Sequence, residues 1–174
     1  EVTLVAAATS TLAALTNIAL DESSIGGLDR WGKGEENQEL LTLTDALANS
    51  NVTTLSLKAC GLGPAACADA LLRLLDSVHL TDLNISDNCL TGATRGYYGQ
   101  PWDTDIDKNT EGWSKLCEKL RSSKLVTLSL EGTGLGPAAL RTLATSLPAG
   151  VADLNISEAI IGDAGALLVE AISA

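Results

Sequence analysis

From Leu80 to Leu90 the chain reads Leu-Thr-Asp-Leu-Asn-Ile-Ser-Asp-Asn-Cys-Leu, with apolar residues at offsets 0, 3, 5 and 10 and Asn88 at offset 8. The spacing recurs from Val52 (Leu55, Leu57, Cys60, Leu62), from Leu125 (Leu128, Leu130, Thr133, Leu135) and from Val151 (Leu154, Ile156, Ala159, Ile161). A weaker copy starts at Leu15 (Ile18, Leu20, Ser23, Ile25). Each copy is followed closely by a glycine: Gly26, Gly63, Gly92, Gly136 and Gly162. Residues two apart share one face of an extended strand, so Leu83 and Ile85 point one way while Asp82, Asn84 and Ser86 point the other. One such short strand cannot bury its apolar face alone. Stacked copies complete a continuous core, which predicts a repeat architecture.

A helix is predicted after each strand. Pro64 and Pro137 follow Gly63 and Gly136 and suit a first helical position, where a missing N–H is harmless. Leu71, Leu72 and Leu75 form an inward stripe, with Asp69 and Arg73 as an outward i,i+4 pair. Leu116 and Leu120, Leu140, Leu143 and Leu147, and finally Ala166, Leu167, Val169 and Ile172 mark the later helices. Residues 1–14 read as an N-terminal helix or a partial repeat. A repeat array needs capped ends. The apolar last helix has no polar segment to cap it, and the chain starts at Glu1 rather than Met. Both point to a piece of a longer chain, with neighbouring repeats or subunits at its ends.

These strand motifs resemble the leucine-rich-repeat consensus L-x-x-L-x-L-x-x-N/C-x-L, and the long copies with a helix after the strand are similar to its ribonuclease-inhibitor-like subclass. The resemblance covers most of the chain. It implies one α/β domain over 1–174: a curved solenoid of five repeats, with parallel strands on the concave face and helices on the convex face. It leaves function open, because this fold carries many unrelated binding roles.

Repeat starts at 15, 52, 80, 125 and 151 are separated by 37, 28, 45 and 26 residues. Against the bare unit, the first and third copies carry insertions of about 9 and 17 residues, at about 27–36 and 93–109. Both fall between strand and helix, on one edge. All five aromatic residues, Trp31, Tyr97, Tyr98, Trp102 and Trp113, lie in or at the end of these insertions, outside the repeat core. At about 150–250 Å² each they could cover about 750–1,250 Å², comparable with about 800 Å² on one side of a standard interface. Such rings either self-pack or meet a partner.

The net charge is −11, and Phe and Met are absent. That field repels phosphate backbones and favours basic partners. The concave positions run Asn17, Ala19, Asp21; Thr54, Ser56, Lys58; Asp82, Asn84, Ser86; Thr127, Ser129, Glu131; Asp153, Asn155, Ser157. They are small, polar and mildly acidic, without the Trp, Tyr or Arg that anchor binding hot spots. Members of the resembled family often bind through this face; here Asp82, Asn84, Glu131, Asp153 and Asn155 make it a secondary site for a basic partner.

Chemistry finds little footing. His79 is the lone histidine, no nucleophile motif or phosphate-cradling loop is visible, and Cys60, Cys67, Cys89 and Cys117 form no C-x-x-C pair. We read them as reduced, which points to the cytoplasm, with cytoskeletal association under a structural role. The sequons at Asn51, Asn84 and Asn155 read as coincidences of the repeat. Asp103, Asp105, Asp107, Asn109 and Glu111 alternate like a calcium loop. Lys108 and Ser114 stand where that loop needs Gly and Glu, which leaves a solvated acidic loop. No run is long enough to span a membrane.

The expectation is a non-catalytic protein-binding or scaffolding module without cofactor or metal. It docks through Trp31, Tyr97, Tyr98, Trp102 and Trp113, with the acidic concave face in support. The resemblance also implies two alternatives. One is an enzyme or small-GTPase regulator, for which Arg30 and Arg95 are the available arginine fingers. The other is a structural part of a cytoskeletal or flagellar assembly.

Overall fold

The computed structural model describes residues 14–28, 39–95 and 102–173. The N-terminal helix expected over 1–14 and most of the first insertion therefore lie outside the described residues.

The strands, in chain order, are β1 (Asn17–Ala19), β2 (Thr54–Ser56), β3 (Asp82–Asn84), β4 (Thr94–Arg95), β5 (Trp102–Thr104), β6 (Thr127–Ser129) and β7 (Asp153–Asn155). Five of them form one parallel sheet in the order β1-β2-β3-β6-β7. Their register is constant: Ile18, Leu55, Leu83, Leu128 and Leu154 lie side by side. The offset-3 residues of the sequence thus become one apolar row. The helices are α1 (Glu39–Ala48), α2 (Pro64–Ala68), α3 (Ala70–Leu74), α4 (Glu111–Leu120), α5 (Pro137–Ala144) and α6 (Gly165–Ser173). Pro64 and Pro137 occupy the predicted first positions.

Backbone bonds between strands repeat unit by unit. The offset-5 N–H groups of Leu20, Leu57, Ile85 and Leu130 donate to the offset-4 carbonyls of Ser56, Asn84, Ser129 and Asn155 at 2.7–3.0 Å. In the other direction, paired N–H groups at Thr53/Thr54, Thr81/Asp82, Val126/Thr127 and Ala152/Asp153 donate to Thr16, Thr53, Thr81 and Val126. Glu22, Ala59, Asp87, Gly132 and Glu158, all at offset 7, have positive φ of 54–63°. This left-handed residue turns each chain segment away from its strand. Only one of the five is glycine, so the sequence does not announce the turn.

One apolar core runs between sheet and helices, and it includes Leu43, Leu55, Leu57, Leu71, Leu83, Ile85, Leu116, Leu128 and Leu140. In the second unit, the helix breaks at Asp69 (φ −133°, ψ −68°). The break rotates the next turns, so Leu71, Leu74 and Leu75 are buried while Leu72 is half-buried. The expected Asp69–Arg73 ion pair is replaced by one with Asp45 on the neighbouring helix, at 2.8 Å.

Candidate protein-docking site

The third-unit insertion rises between β3 and α4. Within it, β4 and β5 pair antiparallel, so the backbone of Trp102 sits on a two-stranded ribbon. Tyr97, Tyr98, Trp31 and Arg30 lie outside the described residues. Below the ribbon, Cys89 and Ala93 pack with Ile106 and Ile160.

Asp107 ties this insertion to the next unit. Its carboxylate accepts hydrogen bonds from the backbone N–H of Gly136 (3.0 Å), Ala138 (2.8 Å) and Ala139 (3.4 Å). These are the open amides at the start of α5, where a negative charge is favoured. Gly136 allows the approach: a Cβ there would lie 2.4 Å from Ile106 and 2.5 Å from the Asp107 carboxylate. The alternating acids therefore serve structure. Asp107 caps a helix, Asp105 pairs with Lys108 at 3.0 Å, and Glu111 pairs with Lys115 at 2.9 Å. The Lys115 ammonium holds the Glu111 carboxyl below its ordinary range. Among the described residues no cluster of three or more metal-ligating side chains forms.

Trp113 corrects the sequence reading. It is 0 % exposed inside the core, and its indole N–H donates to the Ala139 carbonyl at 3.0 Å. It stands at the third position of α4, on the face that also carries Leu116, Cys117 and Leu120, so helical periodicity turns it inward. It belongs to the scaffold under the insertion, bridging α4 to α5, and cannot meet a partner.

The polar face of the sheet carries the second group of predicted residues. Side chains bond across strands: Ser56 to Asp21 at 2.5 Å, Asn84 to Ser56 at 3.1 Å, Ser86 to Ser129 at 2.8 Å and Asn155 to Glu131 at 3.1 Å. Lys58 meets Asp87 at 3.2 Å, and that bond raises its pKa. Asp82 accepts from the Thr81 hydroxyl at 2.7 Å. Asp153 is exposed on β7. The result is a polar, mildly acidic face, cross-bonded at Ser56, Asn84, Ser86 and Asn155.

One residue role escaped the sequence reading. Asn84 and Asn155 each close a local turn by accepting the backbone N–H two residues on, both at 3.0 Å. Their identical Asn-x-Ser context was the available signal. Asn88 is buried and serves two units at once. Its carbonyl oxygen accepts from the N–H of Cys60 (3.1 Å) and Leu62 (2.9 Å), while its amide nitrogen faces the carbonyls of Leu57, Ile85 and Ser86 at 2.9 Å each. At the matching offset, the Cys60 thiol donates to the Leu20 carbonyl at 3.0 Å.

None of the four cysteines is in a disulfide, and all are buried. Burial pushes the Cys117 thiol up to about 12, so it stays protonated and unreactive near neutral pH. No helix among the described residues is long and apolar enough to cross a membrane.

No protein-family model and no curated protein matches the chain. Solved structures do. The C-terminal domain of tropomodulin from Caenorhabditis elegans aligns with a TM-score of 0.66 at 15% identity, covering 99% of this chain and 92% of that one. Leiomodin-1 Actin-Binding Site 2 aligns with a TM-score of 0.64 at 15% identity, covering 99% and 87%. At this identity the likeness speaks for the fold, a leucine-rich-repeat-type α/β domain.

Proposed function

We propose that the chain is a non-catalytic protein-binding module of the cytoskeleton, a ribonuclease-inhibitor-like solenoid that docks its partner along the edge carrying the insertions. The observation that carries this is the Asp107 clamp. It fixes the base of the ribbon that holds Trp102 to the first turn of α5, so whatever the ribbon presents is presented from a rigid footing. Preorganised contacts bind more tightly because less freedom is lost on association. Trp31, Tyr97 and Tyr98 are the further anchors on this edge. The mildly acidic polar face with Asp82, Asn84, Glu131, Asp153 and Asn155 supports it by steering a basic surface.

The choice of partner class rests on the fold neighbours, one of which is named as an actin-binding site. The test is co-sedimentation with filamentous actin. The chain is expected to pellet with filaments, and the triple variant Tyr97→Ser, Tyr98→Ser, Trp102→Ser is expected to lose at least about tenfold in affinity, as for hot-spot aromatics. An unchanged Tm shows that the variant keeps its fold. Unchanged pelleting of that variant would overturn the docking edge, and no pelleting of the parent chain would overturn the filament partner.

A further inference from the structure

Outside the last unit, the exposed large hydrophobic side chains among the described residues are Val78, 61 % exposed, and Val126, 42 % exposed. Both lie on the edge where helices turn back into strands, opposite the insertions. Val78 leads into β3 and Val126 into the adjacent β6. The Val126 N–H donates to the Thr81 carbonyl at 2.8 Å, and the two strands pair in register from Asp82 and Thr127. The two strand entries are therefore neighbours, about 5 Å apart. A lone surface valine is ordinary. Two on adjoining units form a small apolar step.

Charge around this step runs against that of the chain. In the four residues before the repeat starts, 48–51, 76–79, 121–124 and 147–150, the titratable side chains are Asp76, His79, Arg121 and Lys124. Asp76 is taken up by an ion pair with Lys119, as Arg73 is by Asp45. Of the acids on the flanking elements, Glu118 is exposed on α4, and Asp82 on β3 accepts from the Thr81 hydroxyl. Arg121 gives one of its five N–H donors to the Thr145 carbonyl at 2.8 Å. Lys124 is exposed and makes no ion pair among the described residues. Lys119 and Arg121 stand at the end of α4, where a cation complements the helix dipole. Lys124 lies four residues past Leu120, beyond that range. On the opposite edge, offsets 6 and 7 of the five units hold Asp21, Glu22, Asp87, Glu131 and Glu158, with Lys58 the one base. A chain of net charge −11 thus keeps a basic, apolar step on a single edge.

We infer that this edge binds an acidic segment of a partner protein, with its carboxylates on Arg121 and Lys124 and an aliphatic side chain across Val78 and Val126. Opposite charges steer the segment in and fix its register, and the apolar contact adds to its hold. A second copy is disfavoured, because two chains of −11 repel each other. A short segment brings only the few charges that this edge answers. The surface is separate from the insertion edge, and either can exist without the other.

The probe is the capped hexapeptide Glu-Asp-Leu-Val-Asp-Glu, titrated into the full chain at low salt and followed by amide NMR. The expected result is a saturable shift of the Val78, His79, Lys124 and Val126 amides. Lys124→Glu, at an exposed position that should leave the Tm unchanged, is expected to weaken binding about tenfold, because an attraction becomes a repulsion. The charge-swapped peptide Lys-Lys-Leu-Val-Lys-Lys should leave these amides unmoved. The inference is overturned if no shift appears by about 1 mM peptide, if the shifts fall on the polar face around Asn84 and Asn155 instead, if Lys124→Glu binds as tightly as the parent, or if both peptides bind alike. Sedimentation of the chain alone provides the remaining check: self-association that Lys124→Glu abolishes would assign the edge to a second copy and overturn the partner segment.

Discussion

The units that start at Leu80 and at Val151 share one spacing and differ in what it buries. In the first, Leu83, Ile85 and Leu90 are almost wholly enclosed. In the second, the corresponding Leu154 and Ile156 are half-buried and Ile161 is 45 % exposed. Neither strand is longer than three residues. The difference comes from neighbours: β3 lies between β2 and β6, whereas β7 has β6 alone among the described strands. In this architecture a leucine's burial belongs to the stack as much as to its own unit. A unit with one described neighbour is therefore the weakest part of the described fold.

Truncation should expose that contrast most strongly. Leu83→Ala is expected to cost about 2–5 kcal/mol in chemical denaturation, and Leu154→Ala less than about half as much, since part of its surface is wet already. Trp113→Ala belongs with the first group, at about 3–5 kcal/mol, because it empties a core site and leaves the Ala139 carbonyl without its donor. A small effect there would return Trp113 to the docking edge.

The offset-8 position sharpens the comparison. Asn88 supports two units, while the last unit has Ala159 there. Asn88→Ala should cost about 3 kcal/mol, because buried amides and carbonyls on both sides lose their partner at about 1–3 kcal/mol each. If the loss is no more than that of a surface substitution, the Asn88 bonds do not hold neighbouring units together.

A smaller effect is expected at the clamp. Asp107→Ala removes the cap from α5 and should cost about 1 kcal/mol, with Asn restoring part of it. The same variant should weaken filament binding through the insertion if the rigid footing matters. Stability lost with binding unchanged would confine Asp107 to a structural role.

Much of the fold was legible because one constraint, burying one face of a short strand, wrote the same offsets five times. The offset-3 position was readable even in the weak first copy, where Ile18 pairs in register with Leu55. Helix starts were legible at Pro64 and Pro137 for an equally local reason. The parts that escaped were tertiary. The break at Asp69 moved the buried stripe from Leu72 to Leu74, and Arg73 found Asp45, a residue far away in the chain. Trp113 looked like the tail of an insertion because spacing was counted along the chain. Helical phase, set by Leu116 and Leu120, turned it into the core. The acidic run resembled an ion site, yet the charge that Asp107 neutralises is the end of a helix 29 residues on, which no local pattern reveals.

Native-state amide hydrogen exchange tests the neighbour rule most directly, since it reads every strand at once. The Thr81 and Asp82 amides, bonded to Thr53, are expected to exchange only through global unfolding, while the equivalent Ala152 and Asp153 amides, bonded to Val126, are expected to exchange orders of magnitude faster through local opening of the last unit. Equal protection at β3 and β7 would contradict the neighbour rule.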